Sequence, residues 1–165
     1  MGNAPRQTER IDPGRIEAGA LDGRLREIYG NEGLTTNRMR YAAAAETYAR
    51  IFGSAPRHFF SSPGRTELGG NHTDRHHGRV LAASIQLDRI AAVSLAEPND
   101  ETKVRILTEG YDEAVDIDLR RLEPVDDERG TSSSLVRGVA AYLSSRGYRA
   151  GGFSAYVTGD VAMGS

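Results

Sequence analysis

Apolar side chains recur at helical spacing in two long segments of the chain. The first segment, residues 37–52, follows Thr35 or Thr36 as its predicted N-cap. The second begins with the serines at 132–134 and closes at Gly147, a typical helix-ending residue. The apolar residues of each predicted helix are Tyr41, Ala45, Tyr48 and Phe52 in the first and Leu135, Val139, Tyr142 and Leu143, on one face, in the second.

Between the two helices, short apolar runs and alternating positions predict β-strands. Apolar and acidic side chains alternate strictly over residues 115–119, which is typical of an antiparallel strand with one buried face. Pro63-Gly64 is predicted to stop the first strand, and the polar segment 67–78 to form a loop. The predicted strands are residues 58–62, 79–86, 88–95, Lys103–Thr108, 115–119 and 153–157. A helix, several hairpin-linked strands, a helix and a final strand together predict an α+β fold.

The length of 165 residues suits one domain and is short for two. Residues 1–34 are rich in Gly, Pro, Asp and Arg, with one short helical stretch around residues 21–29, and are predicted to form an N-terminal arm. Residues 35–165 are then the domain itself. The sequence ends in Gly164-Ser165 shortly after the last predicted strand, without a natural stop signal. We therefore expect this domain to be incomplete.

Charge and composition argue against several classes of function. With 23 acidic and 21 basic side chains, the formal charge is -2, so the chain lacks the basic footprint of a nucleic-acid or membrane-surface partner. The absence of cysteine excludes disulfides, thiolate nucleophiles and Cys-ligated zinc. No apolar run is long enough for a membrane span or a signal peptide, which predicts a soluble, cytoplasmic protein. The only lysine, Lys103, follows no G-x-x-x-x-G-K-[ST] loop, so a nucleotide would bind by another route.

Residues 62–78 concentrate glycines, charges and three of the four histidines. Three interpretations of this segment are open. His72, Asp74, His76 and His77 could ligate zinc, although their spacing matches no recognised ligand pattern. The segment could instead be a solvated loop whose polar groups satisfy the backbone. Alternatively, a carboxylate, an imidazole and an amide side by side could recognise the vicinal hydroxyls of a sugar.

A resemblance favours the sugar interpretation. Residues 63–78 are similar to the N-terminal signature of galactokinases, which belong to the GHMP family of small-molecule kinases: P-G-R-x-N-[hydrophobic]-x-G-E-H-T-D-Y-x-x-G. The matching residues are Pro63, Gly64, Arg65, Gly70, His72, Thr73, Asp74 and Gly78. In the family's order, residues 136–139 resemble its V-K-G-V helix, residues 152–155 its G-F-S-A strand and residues 160–165 its D-V-P-x-G-S segment. The resemblance extends over residues 55–165.

The resemblance implies a fold and a set of site residues. The fold would be that of a GHMP kinase N-terminal domain, similar to the second domain of ribosomal protein S5, with a mixed sheet and flanking helices. His72 and Asp74 would hydrogen-bond sugar hydroxyls, and Arg65 would lie beside the transferred phosphate and the catalytic carboxylate. Asn71 stands where the family usually has Glu, and Arg75 where it usually has Tyr, so the sugar preference is an inference from the family.

The nucleotide side of such a kinase is implied only at the end of the sequence. Gly164 and Ser165 would open the phosphate loop for ATP and its Mg²⁺, and the family's catalytic Asp comes after that loop. The chain is thus expected to be the sugar-recognition portion of an enzyme that phosphorylates the anomeric hydroxyl of galactose. A non-catalytic sugar-binding or regulatory relative is the alternative. We expect the 165-residue chain alone to turn over no ATP. We also expect it to associate through its apolar faces at 135–143 and 153–157.

Overall fold

The computed structural model describes residues 9–70 and 77–161. In this part of the chain, four α-helices accompany one five-stranded sheet, which confirms the α+β prediction. The helices are α1 (Pro13–Glu17), α2 (Asp22–Tyr29), α3 (Leu34–Phe52) and α4 (Ser132–Ser145). The strands are β1 (His58–Gly69), β2 (Leu81–Leu95), β3 (Lys103–Thr108), β4 (Val115–Asp118) and β5 (Phe153–Gly159). No helix among these residues is both long and apolar enough to cross a membrane.

The sheet is mixed, as the resemblance implies, with the strand order β1-β2-β5-β3-β4. The central strand β5 runs antiparallel to β2 and parallel to β3, while the β1–β2 and β3–β4 pairs are antiparallel. Helix α4 lies in the connection between β4 and β5. This order brings the end of β5 beside β2, since Gly159 pairs with Arg89.

Helices α1, α2 and α3 cover one face of the sheet. Their apolar side chains Ile16, Leu25, Tyr41 and Ala45 form a buried core together with Ile90 of β2. The aromatic ring of Tyr41 packs 5.1 Å from the ring of Phe59, measured between centroids. Helices α1 and α2 therefore share one core with α3 and β2, and the predicted boundary at residue 34 stays a prediction.

A second, smaller cluster lies beneath α4. It contains Val104, Val115 and Ile117 from β3 and β4, with Val136 of α4 packed against it. Leu135, Val139, Tyr142 and Leu143, predicted to share one helix face, are all exposed. The apolar face of α4 that the sequence indicates is thus turned away from the described sheet.

Three strands are longer than predicted, of which β5 exceeds its predicted range by only two residues. β1 continues through Pro63-Gly64, because β1 is an edge strand, where a proline need not donate a hydrogen bond to a neighbour. The predicted loop over 67–78 consequently starts later, since β1 reaches Gly69. The predicted strands 79–86 and 88–95 are one strand, β2, which begins at Leu81 and passes through Leu87 without a turn.

The predicted helix caps also differ from those observed. Thr35 and Thr36 lie inside α3, whose N-cap is Gly33, with no side-chain capping bond. At α4 the capping hydroxyl belongs to Thr131, one residue before the predicted serines, and accepts a hydrogen bond from the Ser134 amide at 3.4 Å. Both differences are shifts of one to three residues at helix ends, where boundaries are hardest to predict.

Candidate functional site

The candidate site begins on β1, which carries Arg65 at an exposed position of an edge strand. The pairing register shifts just before this residue: Pro63 lies opposite Asp88, whereas Arg65 lies opposite Ser84. Between these two pairs β1 has one residue and β2 has three, so β2 bulges at this point. An exposed guanidinium beside a bulge is available to an anionic group of a ligand.

Gly64, the residue before Arg65, meets the segment that leaves β5. A Cβ atom at Gly64 would lie 3.0 Å from Ile85 Cδ1 and 3.1 Å from Val161 Cγ2. Both distances are shorter than ordinary van der Waals contact, so any larger residue would push Val161 away. The glycine thus lets β1 and the segment after β5 touch directly beside Arg65.

The start of the loop that follows β1 also depends on a glycine. Gly70 has φ of 106°, and a Cβ atom there would lie 2.5 Å from the carbonyl oxygen of Arg79. A side chain would be strained by the dihedral angle and would clash with the backbone. Gly70 and Arg79 are accordingly in close contact, which closes the two ends of the β1–β2 connection on each other.

Most of the predicted site residues lie outside the described part of the chain. Asn71, His72 and Asp74, predicted to bind sugar, fall in the 71–76 segment between β1 and β2, and Gly164 and Ser165, predicted to open the phosphate loop, follow Val161. Of the predicted site residues only Arg65 is described. The zinc interpretation is likewise untested, since three of its four side chains fall in the same segment; within residues 9–70 and 77–161 no three His, Asp or Glu are grouped to hold a metal.

A buried carboxylate that sequence reasoning missed lies opposite the first residue of the signature. Asp88 is 2% exposed, and its Oδ2 accepts hydrogen bonds from Tyr29 and, at 2.5 Å, from Ser61. Arg40 Nη2 lies 3.0 Å from the other oxygen, Oδ1. Burial alone would raise the pKa of the Asp88 carboxyl, but the Ser61 and Tyr29 hydrogen bonds and the Arg40 charge lower it below its usual value. Asp88 is therefore an ionised group inside the fold.

Asp88 and Arg40 also hold the end of β5. The Asp88 carbonyl oxygen accepts a 3.1 Å hydrogen bond from the Asp160 amide, and Arg40 Nη2 lies 3.4 Å from Asp160 Oδ2. Arg89, the next residue of β2, donates from Nη2 to the Val161 carbonyl at 3.1 Å. A Cβ atom at Gly159 would lie 2.3 Å from the Asp88 oxygen, so this approach also requires glycine. The segment entering the predicted phosphate loop is thus fixed to β2 and α3.

One signal in the sequence could have indicated this cluster. An acidic residue in the middle of the apolar run 81–95 is costly unless a cation compensates it. Arg40, which directly precedes Tyr41 in the predicted helix, could supply that cation. Their pairing could not be read from spacing, because 48 residues separate the two groups in the sequence.

Comparison with known proteins identifies the type of domain. Residues 46–95 match the galactokinase galactose-binding signature. The structure matches a Lactococcus lactis galactokinase, solved in complex with galactose, with 31% identity and a TM-score of 0.63. That match covers 74% of this chain and 31% of the other. A Methanococcus jannaschii mevalonate kinase matches with 12% identity and a TM-score of 0.49, over 65% of this chain and 33% of the other.

The likeness to the solved galactokinase confirms the predicted fold class, that of the GHMP kinases, to which galactokinases belong. Within that class, the chain is a galactokinase-like domain, similar to the N-terminal portion of a galactokinase. It spans about a third of the length of the solved galactokinase that it matches. The matched segment 46–95 contains β1 and β2 as well as Arg65 and Asp88.

Proposed function

We propose that this chain binds galactose, or a closely related hexose, as the sugar-recognition portion of an enzyme that phosphorylates the sugar's anomeric hydroxyl with ATP. The observation that carries the proposal is the galactose-binding signature over residues 46–95. This segment includes the β1–β2 pair, whose connection contains Asn71, His72 and Asp74. The close contact of Gly70 with Arg79 brings the two ends of this connection together.

Each proposed residue has a chemical role that suits its side chain. The Asp74 carboxylate would accept hydrogen bonds from two neighbouring hydroxyls, and the His72 imidazole would add a donor or an acceptor. Asn71, in place of the family's usual Glu, would bind the terminal hydroxyl without a charge. Arg65 would stabilise the negative charge of the transferred phosphoryl group, because a guanidinium stays protonated and presents several donors.

The proposed reaction also needs ATP and Mg²⁺, but this sequence contains few of the residues that would bind them. Gly164 and Ser165 would contribute the opening of the phosphate loop, whose backbone amides would face the phosphates. Phosphoryl transfer depends on positioning and charge stabilisation around those phosphates. We therefore propose that the 165-residue chain by itself binds sugar weakly and transfers no phosphate, and that the complete reaction takes place in the cytoplasm without a nucleic-acid or membrane partner.

The test is a calorimetric titration of the purified chain with galactose and with glucose. Asp74→Asn should weaken galactose binding about 10- to 150-fold, because a hydrogen bond to a charged group contributes about 1.5–3 kcal/mol. Asp112→Asn is the matched control, since Asp112 is an exposed aspartate in the distant β3–β4 connection. Equal affinity of the wild type and the Asp74 variant would remove Asp74 from the site, and a folded chain that binds no hexose would contradict the proposal.

The replacement of Glu by Asn at position 71 favours the alternative of a non-catalytic sugar-binding relative. Asn71→Glu separates the two interpretations. In the portion of an enzyme, restoring the carboxylate should tighten galactose binding, because the family's site uses a charged acceptor there. In a relative adapted to another sugar, the same change should weaken the binding of that sugar. The measurement is the ratio of galactose to glucose affinity in the wild type and in the variant.

A further inference from the structure

Three chain segments meet around the Arg40 guanidinium. Helix α3 supplies Arg40 itself, β2 supplies the buried Asp88, and the end of β5 supplies Asp160. The side chain of Asp160 is 61% exposed, whereas that of Asp88 is 3% exposed. One cation therefore links a carboxylate inside the fold to a carboxylate on the segment that leaves the sheet.

The orientation of the guanidinium is itself constrained. Arg40 Nη1 donates to Asn37 Oδ1 at 2.7 Å, one turn earlier on α3. Nη2 is then placed between the two carboxylates, 3.0 Å from Asp88 Oδ1 and 3.4 Å from Asp160 Oδ2. A planar group with fixed donors can serve several acceptors at once, which a lysine ammonium does less well.

The segment held by Arg40 is the one that touches β1 next to Arg65. Asp160 is followed by Val161, whose side chain lies against Gly64. Asp88, at the other end of the link, faces Pro63 across the β1–β2 pair. The two strands that border the predicted sugar loop and the segment before Gly164 are thus joined through one ion-paired cluster.

We propose that Arg40 is a positioning residue that, by pairing with Asp88 and Asp160 together, holds the Asp160–Val161 segment against β1 beside Arg65. For phosphoryl transfer, the consequence would be that the Asp160–Val161 segment keeps a fixed position relative to Arg65. This consequence rests on the proposed function. The link itself rests only on the described contacts. A purely structural ion pair would stabilise the whole fold, whereas a positioning link acts on one segment.

Amide hydrogen exchange of the full 165-residue chain distinguishes these roles. Asp160→Asn keeps the buried Asp88–Arg40 pair and removes only the outer carboxylate charge. The protection factor of the Asp160 amide, which donates to the Asp88 carbonyl, should fall about two- to fivefold, as expected for one exposed ion pair, while those of Ile90 and Val104 stay unchanged. Arg40→Lys should have the same local effect, because a lysine retains a cation for Asp88 but lacks the second nitrogen, bonded to Asn37, that holds Nη2 between the two carboxylates.

Asp22→Asn is the matched control, since Asp22 of α2 pairs with Arg38, which lies on α3 like Arg40. It should leave the protection of the Asp160 amide unchanged. Unaltered protection there in Asp160→Asn, or a parallel loss at all amides, would overturn the positioning role. Galactose titration of the same samples keeps the two proposals separate: a wild type that binds no galactose contradicts the proposed function, and the exchange result still decides the role of Arg40.

Discussion

The two faces of the sheet differ more in what covers them than in their apolar character. On the side of α1–α3, Ile90 and Ala92 of β2 are fully buried. On the opposite side, which we call the open face, Phe60 of β1 and Leu95 of β2 are 61% and 55% exposed. Ala91, Val93 and Val157 lie with them on a shallow apolar surface. A strand that is apolar on both sides is typical of one buried on both sides.

The covered face also contains a buried ionised group, Asp88 of β2. Asp88 is buried there at the cost of its hydration and is compensated by Arg40, Ser61 and Tyr29. A residue's place in the strand pattern therefore does not determine how much it contributes to stability. What matters is whether a helix from elsewhere in the sequence reaches it.

The largest expected effect is the loss of the cation on the covered face. Arg40→Met leaves the Asp88 carboxylate buried and unpaired, and should lower the free energy of unfolding by about 3–5 kcal/mol. The double variant Asp88→Asn/Arg40→Met should recover part of that loss, because the uncompensated charge is removed. Urea denaturation of the four proteins in this cycle measures the coupling. Additive effects of the two changes would show that the pair is not coupled.

A direct comparison of the two faces uses two residues of the same strand. Ile90→Ala should cost about 2–5 kcal/mol, because it creates a cavity in the closed core. Leu95→Ala should change stability by no more than about 0.5 kcal/mol, because more than half of Leu95 already contacts solvent. Urea denaturation again gives both values. A cost for Leu95→Ala near that of Ile90→Ala would mean that the open face is covered in solution.

Acid unfolding tests the charge state of Asp88. Its pKa is lowered in the folded protein, so its contribution to stability is fully present above the unfolded value of about 3.9 and is lost as the pH falls below it. Asp88→Asn should therefore lower the Tm at pH 7 and reduce the further fall in Tm between pH 5 and pH 3. Asp112→Asn is the control for a solvated aspartate. An unchanged acid slope in Asp88→Asn would indicate that Asp88 is protonated in the fold.

Burial, on either face of the sheet, explains which predictions from the sequence were correct. The helix over 37–52 and the strand Lys103–Thr108 were predicted because their period and their burial agree. Pro63 misled the prediction of where β1 ends, because its edge position, which is not visible in the local sequence, allows a proline inside the strand. The pairing of Asp88 with Arg40 was missed because the two residues lie far apart in the sequence. The sugar site was predicted from a motif alone, and of its residues the structure describes only Arg65.

A small expected change in stability should accompany a clear change in association. Replacing Phe60 and Leu95 together by serine removes two exposed apolar side chains from the open face and should alter the free energy of unfolding by less than about 1 kcal/mol. If copies of the chain associate through this face, sedimentation velocity should show less self-association in the variant, because less apolar surface is buried on contact. Met39→Ser is the matched control, since Met39 is also 61% exposed but lies on α3, on the other side of the sheet. Equal association of both variants would assign the contact to another surface, of which the exposed side of α4 around Leu135 and Tyr142 is the next to test.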